Sequence, residues 1–559
     1  MMIRMLYSCL VDADYLDTES FMHSRQVVRD SGESTEVLCG KLEKYVAGWL
    51  ENVNLESING RRTEILKGCI EKGKENKGFF RLTVPTGGGK TIASLAFALE
   101  HAKKHGMDRV IYVIPYTSII EQNAKIFQDI LGKENVLEDH CNVDYDSDEE
   151  LKPMYLAAEN WDKPVVVTTN VQFFESLFAN KASKCRKLHN MTNSVIIFDE
   201  VQMLPSDYLK PCIAVMEQLI RHYGSSIVLC TATQPALKGI LSEDILVKEL
   251  CPRIDEQFQF FKRVSIQNIG RIEEEELVKK LEAERQVLCI LNTKKRAQKI
   301  YKEIRKEGVY HLSTSMYPVH RKRVMGKIKE RLKEGKECIV ISTSLVEAGV
   351  DLDFEKVYRQ LSGVDSIIQA AGRCNREGKR AAKDSITYVF QFSEKEYIPG
   401  QRLQMEITEC LLDERRNLEE LDTIRYFFEM LYHFRGEDLD RKNILKKFKA
   451  DDLPFSTVSK EVKLIEENTK TIFISKEEKA IEILNELKIK GITKKIMREM
   501  GQYCVSVYES DFEKMIGAGM LSSISEELKE EYFVLNDLEK YTEEMGLALD
   551  AEYGQAVFF

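Results

Sequence analysis

Short apolar runs, separated by amphipathic stretches, set the pattern of the first two thirds of the chain. RLTV at 81–84, VIYVI at 110–114, VVVTT at 165–169, VIIF at 195–198 and IVLC at 227–230 are rich in branched residues and too short for buried helices. They are read as strands covered on both faces. The stretches between them have the helical period, as in TIASLAFALEHAKKHG after the lysine at position 90. Strands alternating with helices predict a parallel sheet. A second block of the same kind runs from about 245 to 395, with VLCIL at 287–291, CIVIS at 338–342, VYRQ at 357–360 and TYVFQF at 387–392. Beyond residue 400 the chain turns helical and charged. FISKEEKAIEILNELKIKGITKKIMREMGQYCVSVYE then reads as strand, helix, helix, strand. The fold class expected is α/β. The divisions are an N-terminal helix and polar loop (1–40), two tandem parallel-sheet domains (41–243 and 244–398), a helical linker (399–460) and a small α+β C-terminal domain (461–559).

Length agrees, since 559 residues are too many for one core. The net charge of −10 argues against indiscriminate polyanion binding, so any nucleic-acid site must be a local basic groove. KASKCRKLH (181–189), KKRAQKIYKEIRK (294–306) and HRKRVMGKIKERLK (320–333) are candidates, with solvated helix faces as the plainer reading. No apolar run approaches the roughly 20 residues that span a bilayer, and the start lacks a secretory cleavage site. A cytoplasmic protein without membrane partners is expected. The 13 cysteines occur singly with no C-x-x-C pair, so neither a zinc ribbon nor a disulfide framework is indicated.

Candidate chemistry begins at Val84-Pro85-Thr86-Gly87-Gly88-Gly89-Lys90-Thr91, between a strand and a helix. Glycines let successive N–H groups face a phosphate chain, and the helix N-terminus favours negative charge. Lys90 can reach the β- and γ-phosphates of ATP, and the Thr91 hydroxyl can bind Mg²⁺. Asp199-Glu200-Val201-Gln202 follows another strand: Asp199 can hold Mg²⁺, and Glu200 can orient or deprotonate the attacking water. Thr231-Ala232-Thr233 closes a third strand, where hydroxyls can contact both acids or cap a helix. In the second block, Gln369-Ala370-Ala371-Gly372-Arg373-Cys374-Asn375-Arg376 offers two arginines three apart. On one helical face they could stabilise the γ-phosphate as the domains close. Gly349 and Asp351, in STSLVEAGVDLD at 342–353, are expected near the ribose and γ-phosphate.

These motifs, in this order, resemble superfamily 2 helicases with two RecA-like domains. DEVQ, TATQP, YVIPYTSIIEQN, VVTTNVQFFESLFA and ISTSLVEAGVDLDF narrow the resemblance to the helicase of type I CRISPR interference, nearest subtype I-C. The resemblance implies an ATP- and Mg²⁺-dependent monomer moving 3′ to 5′ on single-stranded DNA. It also implies recruitment by a guide-RNA surveillance complex and a C-terminal domain closing over the DNA channel. By carry-over, Pro115, Thr117, Ser118, Gln122, Thr168, Thr169 and Asn170 match strand contacts of the first domain, and Asn292, Thr293, Ser313 and Thr343 those of the second. Arg62 would approach the adenine. An RNA helicase of the same superfamily and a non-catalytic DNA-binding scaffold are the competing readings.

Members of this family usually begin with a two-metal HD nuclease. No His-Asp pair occurs in this sequence. Residues 6–19 resemble the final helix of that nuclease, with Asp14, and Asp12 in second place, at its last metal-ligand position. The shortfall fits a nuclease carried by a separate chain or a truncated gene. The apolar residues Leu6, Leu10, Val11 and Leu16 would then cover the first motor domain, meet the separate chain, or fray.

Overall fold

The apolar runs of the first block form the heart of a seven-stranded parallel sheet. Its strands are β1 (Phe79–Thr83), β2 (Arg109–Ile114), β3 (Val136–Asp139), β4 (Val165–Thr169), β5 (Ser194–Asp199), β6 (Ser226–Thr231) and β7 (Val247–Glu249), in the order β3-β4-β2-β5-β6-β1-β7. A computed structural model describes the chain except at residues 23–28, 116, 141–151, 234–236, 238, 348, 395, 397, 399, 450–451, 465–468, 525–531 and 549–559, and leaves the side chains of 117–119, 152, 494 and 532 undescribed. The second block forms a six-stranded parallel sheet: β8 (Ser265–Ile272), β9 (Gln286–Ile290), β10 (Val309–Leu312), β11 (Cys338–Ser342), β12 (Lys356–Gln360) and β13 (Ile386–Phe392), ordered β10-β11-β9-β12-β13-β8. The expected pair of RecA-like sheets is therefore present. Among the described residues, no helix is long and apolar enough to cross a membrane.

Residues 1–262 and 424–465 make one unit, and 263–423 with 466–559 make another. This differs from the sequence-based divisions. The expected boundary at 243/244 moves to 262/263 because β7 pairs with β1, Phe79 opposite Val247. Leu250, Cys251 and Phe261 are buried in the same core as Leu66 and Cys69. The expected linker also divides. The helix Arg402–Asp413 falls in the second unit, whereas Leu439, Ile444, Val458 and Val462 pack into the first. The C-terminal part of the second unit holds a four-stranded mixed sheet, β14 (Thr469–Phe473), β15 (Cys504–Tyr508), β16 (Leu521–Ser523) and β17 (Tyr532–Leu535). It shares a core with Tyr317, which stacks on Tyr541 at 4.9 Å.

The N-terminal helix Met2–Met22 packs on the first unit by a mostly polar face of Arg4, Met5, Ser8 and Asp12. Arg4 donates to the carbonyls of Ala179 and Phe178 and lies 4.9 Å from the Phe455 ring centre. Asp12 accepts from Arg186 at 2.7 Å and from Asn160 at 3.0 Å, so it is an anchor of this helix. Asp14 is exposed. Leu6 and Leu10 are 64% and 70% exposed, so they do not cover the first unit.

The basic stretches are largely spent inside the fold. Arg186 is buried against Asp12 and Glu159, and Lys187 pairs with Asp139. Arg296 pairs with Glu274 and Glu394, and Arg323 with Glu477 and Glu543. Neither a basic groove nor a solvated helix face describes Arg186, Lys187 and Arg296, because their cations are drawn in to neutralise nearby carboxylates.

One buried histidine gives the first unit a pH dependence. His101 donates from Nδ1 to the Gly73 carbonyl at 2.8 Å, and Nε2 lies 2.9 Å from Ser226 Oγ. Burial pushes its pKa down to about 4. An unfolded histidine titrates near 6.5. Below that pH the unfolded chain gains a proton that the folded chain refuses, so stability is complete above about 6.5 and declines as pH falls toward 4. The expected loss is on the order of 3 kcal/mol. Thermal melts across this window check it: His101→Gln should be less stable at neutral pH and show a shallower decline. An equally steep decline would refute the assignment.

Candidate nucleotide site

The carboxyl ends of β1, β6 and β5 lie side by side, with Thr83 opposite Thr231 and Asp199 opposite Cys230. Parallel strands gather their following loops at this edge, where open α/β sheets take ligands. The loop after β1 turns sharply: Gly87 and Gly89 each have φ +86°, a region costly for other residues. A Cβ on Gly88 would stand 2.5 Å from Val84 Cγ1. The helix Lys90–His105 starts directly behind, so its first N–H groups belong to the loop. Thr86 is exposed and Thr91 half-buried. Arg62 donates to the Gly87 carbonyl at 2.8 Å, which places it against the loop.

Lys90 Nζ lies 2.7 Å from Asp199 Oδ1 and also pairs with Glu200. Burial opposes its charge, but the two carboxylates outweigh burial and hold its pKa well above the ordinary lysine value. Burial, helped by Glu200, pushes the Asp199 carboxyl up against the pull of Lys90. Glu200 itself has φ +50°, a left-handed conformation rare outside glycine. Strain of this kind collects at working residues. It lifts Glu200 out of the strand line directly after Asp199.

The hydroxyls after β6 reach the acids through an intermediary. Gln202 Nε2 donates to Glu200 Oε2 at 2.6 Å, and Thr231 Oγ1 donates to Gln202 Oε1 at 2.5 Å. Thr231 in turn accepts from the Thr233 backbone N–H at 2.9 Å. Sequence reasoning left Gln202 without a role; its signal was its place two residues past the glutamate. It also missed Tyr112 on β2, whose hydroxyl is 3.4 Å from both Asp199 Oδ2 and Ser94 Oγ.

In the second unit the helix Val364–Ala371 ends before the arginines, so they do not share a helical face. A turn through Asn375, with φ +48°, parts them. Arg373 is buried and donates to the carbonyls of Val346 at 2.8 Å and Glu347 at 2.5 Å, bracing that loop. Arg376 keeps 33% of its side chain exposed and holds Asp351 at 2.8 Å. Gly349 has φ +75°, and Gln369 Nε2 is buried without a hydrogen-bond partner among the described residues.

The residues carried over as strand contacts stand near the carboxyl ends of both sheets. In the first, Pro115 follows β2 and Gln122 is exposed on the next helix. Thr168 donates to the Asp139 carbonyl, Thr169 caps the helix Asn170–Phe178, and Asn170 Oδ1 is buried with no hydrogen-bond partner among the described residues. The side chains of Thr117 and Ser118 lie outside the described residues. In the second, Asn292 and Thr293 follow β9 and Thr343 follows β11. Ser313 is fully buried against His311 Nε2 at 2.8 Å, so its hydroxyl faces the core.

Comparison with known proteins fits this geometry. The DEAD/DEAH box helicase family model matches residues 63–240, and the C-terminal model of the CRISPR-associated nuclease/helicase Cas3 matches 283–379. The Haloferax volcanii CRISPR-associated nuclease/helicase Cas3 is 26% identical over 419 residues, covering 53% of this chain and 44% of that protein. Its Methanothermobacter thermautotrophicus namesake is 24% identical over 427 residues, covering 66% and 50%. The chain thus spans about half the length of these relatives. The crystal structure of T. fusca Cas3-ATP shares the fold at TM-score 0.63 and 14% identity, covering 84% of this chain and 67% of that one. A chain in a CRISPR RNA-guided surveillance complex, pre-nicking, matches at TM-score 0.53 and 14% identity, over 83% and 65%. The present chain is thus similar, over residues 63–240 and 283–379, to a DEAD/DEAH box helicase model and to the C-terminal model of CRISPR-associated nuclease/helicases.

Proposed function

We propose that the chain is an ATP-driven motor that moves 3′ to 5′ along single-stranded DNA during type I CRISPR interference. The observation that carries this reading is the gathering of Lys90, Asp199 and Glu200 at one sheet edge, with Gln202 joining Glu200 to Thr231. A polyphosphate entering the glycine loop competes with the two acids for the Lys90 ammonium. Released from Lys90, Glu200 can accept the proton of the attacking water. Thr91 and Asp199 supply the oxygen donors that suit Mg²⁺, which would neutralise charge on the β- and γ-phosphates. Arg376 is the cation assigned to the transferring phosphoryl group, while Arg373 holds the loop beside it. Arg62, Gly349, Asp351 and Gln369 are assigned to the remainder of the nucleotide.

Hydroxyls and amides at the strand ends, Thr169, Asn170, Asn292, Thr293 and Thr343 among them, suit sequence-blind backbone contacts. Recruitment by a guide-RNA surveillance complex follows the kinship with the relatives above. The exposed Leu6–Leu10 face of the N-terminal helix is an apolar surface open to a partner. The test of the DNA reading is a fluorescence titration across salt. Affinity for single strands should fall steeply and log-linearly with salt, without sequence preference. Firm preference for one sequence, or for RNA over DNA, would contradict the reading.

A further inference from the structure

Arg359 and Glu347, to which none of these roles is assigned, centre a buried polar chain in the second unit. Arg359, near the end of β12, is buried. Its Nη1 donates to Asn292 Oδ1 at 2.6 Å and to the Gln360 carbonyl at 2.8 Å. Its Nη2 donates to Ser366 Oγ at 3.0 Å, and its Nε lies 2.8 Å from Glu347 Oε1. Ser366 donates onward to Glu347 Oε2 at 2.8 Å. Gln360 extends the chain, accepting from the Asn292 N–H at 2.9 Å and donating to Glu396 at 3.0 Å. Glu396 also accepts from Thr293 Oγ1 at 2.6 Å.

One guanidinium therefore ties three segments together. The first is the end of β9, with Asn292 and Thr293. The second is the loop from Ser344 through Glu347 that leads to Asp351, the partner of Arg376. The third is the start of the helix Val364–Ala371, which carries Gln369. Desolvation offsets most of what a buried ion pair gains, so stability alone gives little reason to keep one. A planar fork bonded on several sides fixes the relative positions of the segments it touches.

We infer that Arg359 and Glu347 are positioning residues that carry the state of the nucleic-acid contacts at Asn292 and Thr293 to the loop that sets Asp351 and Arg376. The inference rests on the functional reading above. A strand that shifts Asn292 must shift Arg359, and Arg359 cannot shift without Glu347 and Ser366. The Glu347 backbone is held separately by Arg373, so the loop should respond as a body.

The test uses the full chain with Arg359→Lys, Arg359→Met and Glu347→Gln. ATP hydrolysis is measured with and without saturating circular single-stranded DNA, beside melting curves and DNA affinity. Basal turnover, KM for ATP and DNA affinity should be unchanged, while stimulation by DNA falls about tenfold, within the usual range of a coupling between sites. Arg359→Lys keeps the charge opposite Glu347 but lacks the fork, so it should fold and remain uncoupled. If Arg359→Met does not fold, the other two variants decide the matter. Folded variants with wild-type stimulation, or with basal and stimulated rates reduced equally, overturn the inference. A wild-type chain whose hydrolysis ignores DNA overturns the functional reading itself, and the inference with it.

Discussion

Lys90→Ala should reduce ATP hydrolysis to the background rate while the chain still folds. Lys90 is the cation placed between the glycine loop and the two acids. Alanine removes the charge that would meet the β- and γ-phosphates. It also leaves two carboxylates together at a buried edge. Asp199 is already pushed upward by burial and by Glu200, so without the opposing pull of Lys90 its carboxyl should rise further and hold a proton more readily. The variant should therefore melt lower than wild type, with a deficit that shrinks as the pH is lowered toward the range where Asp199 is neutral. Steady-state ATPase and melting curves from pH 5 to 8 would show both effects. Appreciable turnover by a folded Lys90→Ala chain would remove Lys90 from the mechanism.

The two arginines of the second block should behave differently from each other. Arg376→Ala should leave nucleotide affinity nearly unchanged and cut turnover on the order of 10³-fold, the usual cost of losing such a cation. Arg373→Ala should act through structure, because its guanidinium is spent on the carbonyls of Val346 and Glu347. Leaving buried acceptors unbonded costs about 1–3 kcal/mol each, so this variant should melt lower, whatever its rate. Nucleotide binding, turnover and thermal melts of the two variants form the comparison. Near-normal turnover in Arg376→Ala, or an undisturbed melt in Arg373→Ala, would reverse the roles of the two arginines.

The buried strands were legible because parallel sheets covered on both faces leave unbroken apolar runs, as in VVVTT and VIIF. β8 was not, because SIQNIGRI lies at a sheet edge with three of its eight residues exposed and only Ile272 buried. β7 spans three residues and owes its existence to pairing with β1, which no local pattern announces. The glycine loop and the two acids could be read because their spacing relative to strand ends carries the chemistry. Arg373 and Arg376 look equivalent in sequence, yet the early helix end and the left-handed Asn375 turn one inward and the other outward. Arg359 lacked a signal, since its partners Asn292 and Glu347 lie far away in the chain. The charge runs misled because residues such as Asp12, Asp139 and Glu274, distant in sequence, meet Arg186, Lys187 and Arg296 in the fold.

The central claim is that the site around Lys90, Asp199 and Glu200 hydrolyses ATP in the service of movement on DNA. Steady-state ATP hydrolysis by the purified chain, with Mg²⁺ and with or without circular single-stranded DNA, tests it most directly. The expected result is hydrolysis that rises severalfold on adding DNA, rises less with RNA of matching sequence, and vanishes in Lys90→Ala. Hydrolysis that is indifferent to DNA, or that survives in Lys90→Ala, would contradict it.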